Sequence, residues 1–351
     1  MTNKAILALI ITLGAIPVQG IAATTVTSTK ASSWGLFPNR TDSAPIVENL
    51  SEAGFISRSV DGPNGPSSTR GLSANVALLF NIPILEDQVD LRYKLIFSFG
   101  DELSISNRDQ AAEEQQVERN FLRWRGYLGG GFHMARGPLF LDTLLGRARL
   151  WYEDNIYEPI SMDFLHVDLG LSLAPMISAV GSYRFRKIHR SFDEEPITIQ
   201  KDLWSRLRFT VPGSMRIQLE AGPGSIDTEE GLGEARKKGQ VDYTMVRASL
   251  YPMLRIHAEY RSRSITSESQ PGLGQFGDLF VPTSHYQQNS PLAAAKGSAS
   301  TELQLAYIFP EEMFRVGIFQ SSQKVVKYVD GAKQEYNHGS SGGGILGSLR
   351  F

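Results

Sequence analysis

Arginines spaced two apart recur along this sequence: Arg123 and Arg125, Arg147 and Arg149, Arg184 and Arg186, Arg206 and Arg208. In a β-strand, residues two apart point the same way. Each pair therefore projects two guanidinium groups from one face. Guanidinium offers planar, bidentate contact to carboxylate or phosphate and does not lose its charge. Rows of such groups on a low-dielectric wall focus a positive potential and gather anions, the principle of Arg- and Lys-lined anion pores. Arg92, Lys94, Arg119, Arg216, Arg255, Arg261 and Arg315 fall on the same parity of their own segments. Fewer acids share it: Asp90, Asp168, Asp202, Glu220, Glu259 and Glu302. A second use of the same residues is structural, as ion pairs with those acids that fill an interior.

His338-Gly339-Ser340 places a base two residues from a hydroxyl. Nucleophilic catalysis needs such a pair plus a third group that orients the base. A His and a Ser two apart on a strand is similar to the arrangement in outer-membrane lipid hydrolases. Here the pair lies in the Gly-rich stretch Asn337 to Gly344, read as a loop that fixes no facing. His166 and His257 sit beside acids, where a pH-responsive ion pair or a plain solvated residue are the two readings. There is no Cys and no His-x-x-x-His. Gly129-Gly130-Gly131 is followed by no Lys-Ser/Thr, so it is read as a bend in a strand rather than a phosphate loop. No catalytic residue, cofactor or metal site is assigned.

The elements that must position these residues are strands. Leu72, Ala74, Val76, Leu78, Phe80 and Ile82 alternate with mostly polar residues, and so do Val89, Leu91, Tyr93, Leu95, Phe97 and Phe99. The same period recurs at Leu122–Leu128, Phe140–Leu150, Leu165–Leu173, Ile177–Phe185, Leu203–Val211, Met215–Ala221, Leu254–Tyr260, Thr301–Phe309 and Phe314–Ile318. Within Phe140–Leu150 the apolar set is Phe140, Leu144, Ala148 and Leu150, which places Arg147 and Arg149 on the polar face. Val241 to Leu250 breaks phase near Met245, the sign of a bulge. Connections alternate in length. Short turns are expected near Pro83–Asp87, His133–Gly137, Ala174–Pro175, Pro212–Gly213, Tyr251–Pro252 and Pro310–Glu312. Long polar loops are expected at Asp61–Arg70, Asp101–Glu118, Asp154–Pro159, His189–Gln200, Pro223–Gly239, Ser264–Gly297 and Gln323–Ser341.

The chain has 351 residues, a formal charge of −2 and no Cys, which fits an exported protein without disulfides. Since the strands are basic, the balancing acids must lie elsewhere, in the expected loops (Asp109, Glu113, Glu114, Asp193, Glu194 and Glu229 among them). Residues 1–23 read as a signal peptide: Lys4, an apolar run from Ala5 to Val18, and cleavage after Gly20 or Ala23. Residues 24–50 are Ser/Thr-rich and aperiodic, a periplasmic tail or a segment tucked into the interior. Residues 51–351 form the strand-rich body.

The sequence ends Ile345-Leu346-Gly347-Ser348-Leu349-Arg350-Phe351, with Ile345, Leu349 and Phe351 on one face. This resembles the closing strand of bacterial outer-membrane β-barrels, in which a final Phe serves as the assembly signal. The resemblance implies an all-β, transmembrane, antiparallel up-and-down barrel with short periplasmic turns and long extracellular loops. The short turns, the final strand and a strand at Ser51–Val60 give about fourteen strands, with twelve or sixteen the alternatives. It also implies residence in the outer membrane of a Gram-negative bacterium. The expected partners are outer-membrane lipid, lipopolysaccharide and the barrel assembly machinery, with no nucleic acid. The apolar parity then faces lipid and the Arg-rich parity the lumen. Passage or binding of small anionic solutes follows. A plugged, non-conducting barrel serving an envelope assembly is the alternative, and a surface lipid hydrolase the third.

Overall fold

The computed structural model describes residues 47–49, 52–62, 65–85, 90–108, 119–152, 159–190, 195–211, 216–251, 256–269, 300–308, 314–329 and 332–347. Residues 1–23, read as a signal peptide, residues 24–46 of the N-terminal segment, Arg255, Phe351 and the stretch 270–299 lie outside the described residues. The side chains of Arg92, Arg119, Arg123, Arg125, Arg216, Arg315, His338 and Ser340 do so as well.

The described residues form one antiparallel sheet of 15 strands. In order these are β1 (Val47–Asn49), β2 (Glu52–Gly62), β3 (Gly65–Leu85), β4 (Asp90–Arg108) and β5 (Arg119–Arg136). β6 (Leu139–Tyr152), β7 (Ile160–Ala174), β8 (Ile177–Arg190), β9 (Thr198–Val211) and β10 (Arg216–Glu230) follow. The last five are β11 (Lys237–Tyr251), β12 (Ile256–Ser269), β13 (Ser300–Ile308), β14 (Phe314–Val329) and β15 (Ala332–Gly347). From β2 on, each strand pairs with its neighbours in sequence, and β15 pairs with β2, Leu346 opposite Glu52. Every strand from β2 to β15 thus has a partner on both sides, the condition that removes sheet edges in a barrel. β1 continues the line of β2 along β3, Val47 opposite Phe80. Of the stretch Ser51–Val60, Glu52–Val60 is strand, as the sequence reading needs.

The hydrophobic face is outside. Leu128 is 58% exposed and Leu207 59%, and Leu169, Leu173, Leu203, Leu305 and Ile318 are exposed beside them. The alternate residues are polar and buried: Asp168, Asp202, Arg206, Arg208, Glu220 and Glu259. This inversion is stable only where lipid, not water, touches the outside. Among the described residues no helix is long and apolar enough to cross a membrane.

The strands are longer than one crossing needs. β3 has 21 residues and β4 has 19, whereas a tilted strand spans the bilayer in about 10. Three stretches expected as loops are therefore largely strand. Asp61–Arg70 belongs to the β2–β3 hairpin, with Asp61 opposite Pro66. Pro223–Gly239 extends β10 and β11, joined through a short 3-10 helix at Gly233–Ala235. Gln323–Ser341 is the β14–β15 hairpin, with His338 opposite Gln323. In β10 and β11 the outer face here is polar, with Asp227 and Gln240 on it, because it stands above the apolar belt, and that polarity imitates a loop.

The two halves of the barrel wall follow opposite rules. Near the short turns the outside is apolar and the inside charged. Towards the long connections, in the described wall from β4 to β12, apolar clusters take up much of the inside. Ile96, Tyr127, Leu144, Ala148, Leu150, Met162, Phe164, Ile188 and Ile197 form one buried inner cluster. Trp204, Ile226, Val241, Tyr243 and Met245, with Ile265 against them, form a second. On the outside of this level stand Arg147, Arg149, Asp163, Asp227 and Gln240.

Two expectations are corrected by this arrangement. In β6 the buried set is Phe140, Asp142, Leu144, Ala148 and Leu150, so Arg147 and Arg149 point outward, not into the lumen. Of the apolar residues taken for the lipid face, Leu144, Ala148 and Leu150 belong to the inner cluster, and Phe140 is buried as well. In β11 the alternation is unbroken from Val241 to Leu250. What changes near Met245 is the character of the face, and the register irregularity lies against β12 at Asp242/Tyr243.

Glycine lets β5 and β6 approach closely. A Cβ on Gly131 would meet the Thr143 backbone, and one on Gly146 would meet Leu128 O, Gly129 Cα and the Phe164 ring. Direct pairing lapses there. The Thr143 side chain replaces it: Phe132 N–H donates to Thr143 Oγ1 at 3.1 Å and the hydroxyl lies 3.2 Å from Phe132 O. Pairing thus lapses next to the glycines read as a bend, and Thr143 keeps the Phe132 backbone groups satisfied.

Candidate functional site

The inner wall below the apolar clusters carries the charge. Strand parity puts these residues on one face, and the register of neighbouring strands brings them side by side. An alternating chain of opposite charges runs along it from β7 to β12. Asp168 Oδ2 lies 3.8 Å from Arg206 Nη2, and Arg206 Nε donates to Glu220 Oε1 at 3.2 Å. Glu220 also accepts from Arg208 Nε at 2.6 Å and lies 3.5 Å from Arg247 Nη1. Arg247 passes on to Glu259 with bonds of 3.0 and 2.9 Å, and Glu259 accepts from Arg261 Nη2 at 3.3 Å. Glu220, only 1% exposed, is the centre, held by three arginines from two neighbouring strands.

A second centre lies on the β4–β6 side. Lys94 Nζ donates to both oxygens of Asp142, at 2.5 and 2.6 Å. His133 Nδ1 sits 3.1 Å from the same carboxylate. Asp142 and Asp168 are opposite each other in register, with Lys94 on Asp142 and Arg206 beside Asp168.

Towards the apolar clusters the wall is bonded through aromatics. Tyr243 donates its hydroxyl to Asp202 at 2.7 Å, and the Arg263 guanidinium lies 4.5 Å from the Tyr243 ring. Arg206 lies 4.1 Å from the Trp204 ring and also donates to Ser182 Oγ. Arg186, 1% exposed, donates to Gln200 at 2.9 Å. Arg184 stands in register between His166 and Asp202. Cation–aromatic contacts of this kind stabilise a desolvated guanidinium.

Of the residues proposed from sequence to line the lumen, Lys94, Arg184, Arg186, Arg206, Arg208 and Arg261 are on the inner face. Arg147 and Arg149 are not. Arg123 and Arg125 pair in register with Tyr152 and Leu150. Arg92 pairs with His133, and Arg119 lies opposite Ser106. Arg216 lies opposite Tyr251 and Arg315 opposite Leu346. Sequence reasoning missed Arg247, which bridges Glu220 and Glu259. Its signal was there, since it shares the odd parity of Val241, Tyr243 and Met245. His338 and Ser340 lie in β15, opposite Val60 and Arg58 of β2, and not in a loop. Among the described residues no group of His, Asp or Glu could hold a metal ion.

No family model matches the chain, and no curated protein matches it. Solved structures do. The chain superposes on a deltaS2 mutant of the TodX monoaromatic hydrocarbon channel with a TM-score of 0.52 at 8% identity, over 88% of this chain and 91% of that one. The Pseudomonas putida toluene transporter TodX aligns with a TM-score of 0.48 at 7% identity, over 88% and 92%. OccK7 of Pseudomonas aeruginosa aligns at 0.36 and 11%, over 86% and 99%. At such identities the first of these speaks for architecture alone, and it agrees with the outward apolar belt and the strand-to-strand pairing. The fold of this chain is that of a bacterial outer-membrane β-barrel.

Proposed function

We propose that the barrel is an outer-membrane channel that passes or binds small anionic solutes. The observation that carries this is the charge balance of the described inner wall from β4 to β12. Lys94, Arg184, Arg186, Arg206, Arg208, Arg247, Arg261 and Arg263 face Asp142, Asp168, Asp202, Glu220 and Glu259. Cations outnumber acids in a wall backed by lipid, so the residual field is positive and anions are drawn inward. A channel, TodX, shares the fold. The chain reaches its site as an exported protein of a Gram-negative cell, with residues 1–23 removed and Phe351 read by the assembly machinery. No catalytic step is assigned to it.

The test is reconstitution into planar bilayers under a salt gradient. A reversal potential of the sign for anion flow is expected, and cation preference would refute the reading.

A second reading has its own support. Glu220, Arg186, Asp142 and Arg208 are buried to a degree that residues lining a wide water-filled pore are not, and their pairing suits a filled interior. On this reading the barrel is non-conducting and serves as an anchor or as one part of an envelope assembly. Conductance at any potential would exclude it.

A further inference from the structure

The outer face of β6, β7, β8 and β9 carries a feature that neither the lumen nor the fold requires. The apolar belt ends there at one register row: Leu145 opposite Leu165, and Leu165 opposite Phe185. The next outward row is Arg147 opposite Asp163, and Asp163 opposite Lys187. Above it stand Arg149, Ser161 and His189. Lys201 of β9 lies beside Phe185 and is exposed. Asp163 holds the row together, accepting from Arg147 at 2.6 and 3.1 Å with His189 Nε2 at 3.4 Å. The Arg147 side chain is still 69% exposed despite that pairing. Lys187 Nζ lies 5.6 Å from the Phe185 ring, at the top of the apolar surface.

The height of this row identifies what touches it. From Leu173 to Leu165 the outward run of β7 rises about 20 Å, at ~3.4 Å per residue and ~40° of tilt. The apolar band of such barrels is about 25 Å tall. The cations therefore sit where the acyl chains of the outer leaflet meet its headgroups, on the side of the long connections. At that depth the available anions are lipid phosphates. Four cations against Asp163, with Asp227 beyond Lys201, leave the patch positive. Arg suits a phosphate by its fork of donors and Lys as a point charge.

We propose that Arg147, Arg149, Lys187 and Lys201 form an outer-face binding site for the phosphate groups of the outer-leaflet glycolipid, lipopolysaccharide. The site is independent of what passes through the lumen. Its role is to seat the barrel in the leaflet at a fixed rotation and depth.

The full chain in detergent, stripped of lipid, is given lipopolysaccharide, the same lipid with its lipid A phosphates removed, or inorganic phosphate, and bound lipid is counted by native mass spectrometry. The phosphorylated lipid should remain bound and the dephosphorylated lipid should bind about tenfold less. Inorganic phosphate should not displace it. A chain with Arg147→Gln, Arg149→Gln, Lys187→Gln and Lys201→Gln should lose about the same factor, while Arg136→Gln, exposed at the short-turn end of β5, should not. Equal binding of the dephosphorylated lipid, or full retention by the quadruple variant, overturns the site. Displacement by phosphate alone overturns the lipid as its ligand. The lipid comparison on the unaltered chain decides the matter even if the variant does not fold.

Discussion

Replacing Glu220 by Gln removes the one negative charge that three arginines share. Arg208 lies 2.6 Å away, Arg206 3.2 Å and Arg247 3.5 Å, and Glu220 is 1% exposed. Removing one partner of a buried ion pair leaves an uncompensated charge and costs roughly 3–5 kcal/mol. The low end applies here, about 3 kcal/mol. Gln keeps an acceptor oxygen, Arg206 retains Asp168, and Arg247 retains Glu259. The assay is urea-driven unfolding from lipid vesicles, followed by the fluorescence of the four tryptophans. The second half of the test is the double variant Glu220→Gln with Arg208→Gln, in which the surplus cation goes as well. It should be more stable than Glu220→Gln alone by at least ~1 kcal/mol, because coupled sites are non-additive. A single variant within ~0.5 kcal/mol of the parent would mean that the wall is wet at Glu220 and its ion pairs worth no more than surface ones. Strict additivity would mean that Arg208 and Glu220 do not interact.

Three further outcomes follow from the geometry. Arg147→Gln with Arg149→Gln should leave ion selectivity in bilayers unchanged, since both side chains are on the outer face; a shift towards cations would place them back in the lumen. Gly146→Val should abolish the compact, heat-modifiable form on gels, because the added carbons meet the Leu128 carbonyl and the Phe164 ring; a normal band would show that β5 and β6 have room to separate. Asp142→Asn should destabilise the barrel by roughly 3 kcal/mol by stranding Lys94, with Lys94→Met in the same chain restoring part of the loss in the same urea titration; no restoration would mean that Asp142 is held by His133 alone.

The strand positions and the outward face of most strands are legible in the sequence because lipid imposes one rule on everything it touches. Leu203, Leu207 and Phe209 must be apolar whatever lies within. The inner face obeys no such rule. It is charged at Glu220 and apolar at Leu150, and period-2 alternation does not say which parity looks which way. β6 is misread for that reason. Its odd positions run Leu139, Leu141 and Leu145 through the belt and then Arg147 and Arg149 above it, so one strand holds two opposite patterns. Scoring it as a whole averages them. Arg247 is lost to the same averaging in β11. The ends of the long strands are lost because, above the lipid, a strand wet on the outside looks like a polar loop, as in Pro223–Gly239. Which cation meets which acid is legible nowhere in the sequence. Glu220 and Arg206 become neighbours only through the register of β9 against β10.

The central claim is that the inner wall keeps a net positive field that acts on ions passing it. The most direct test is the reversal potential of the reconstituted full-length barrel across a tenfold potassium chloride gradient. The account predicts conductance with a reversal potential displaced towards that of chloride, and a smaller displacement when Arg184 and Arg263 are both replaced by Gln. Absence of conductance, or displacement towards potassium, would contradict it.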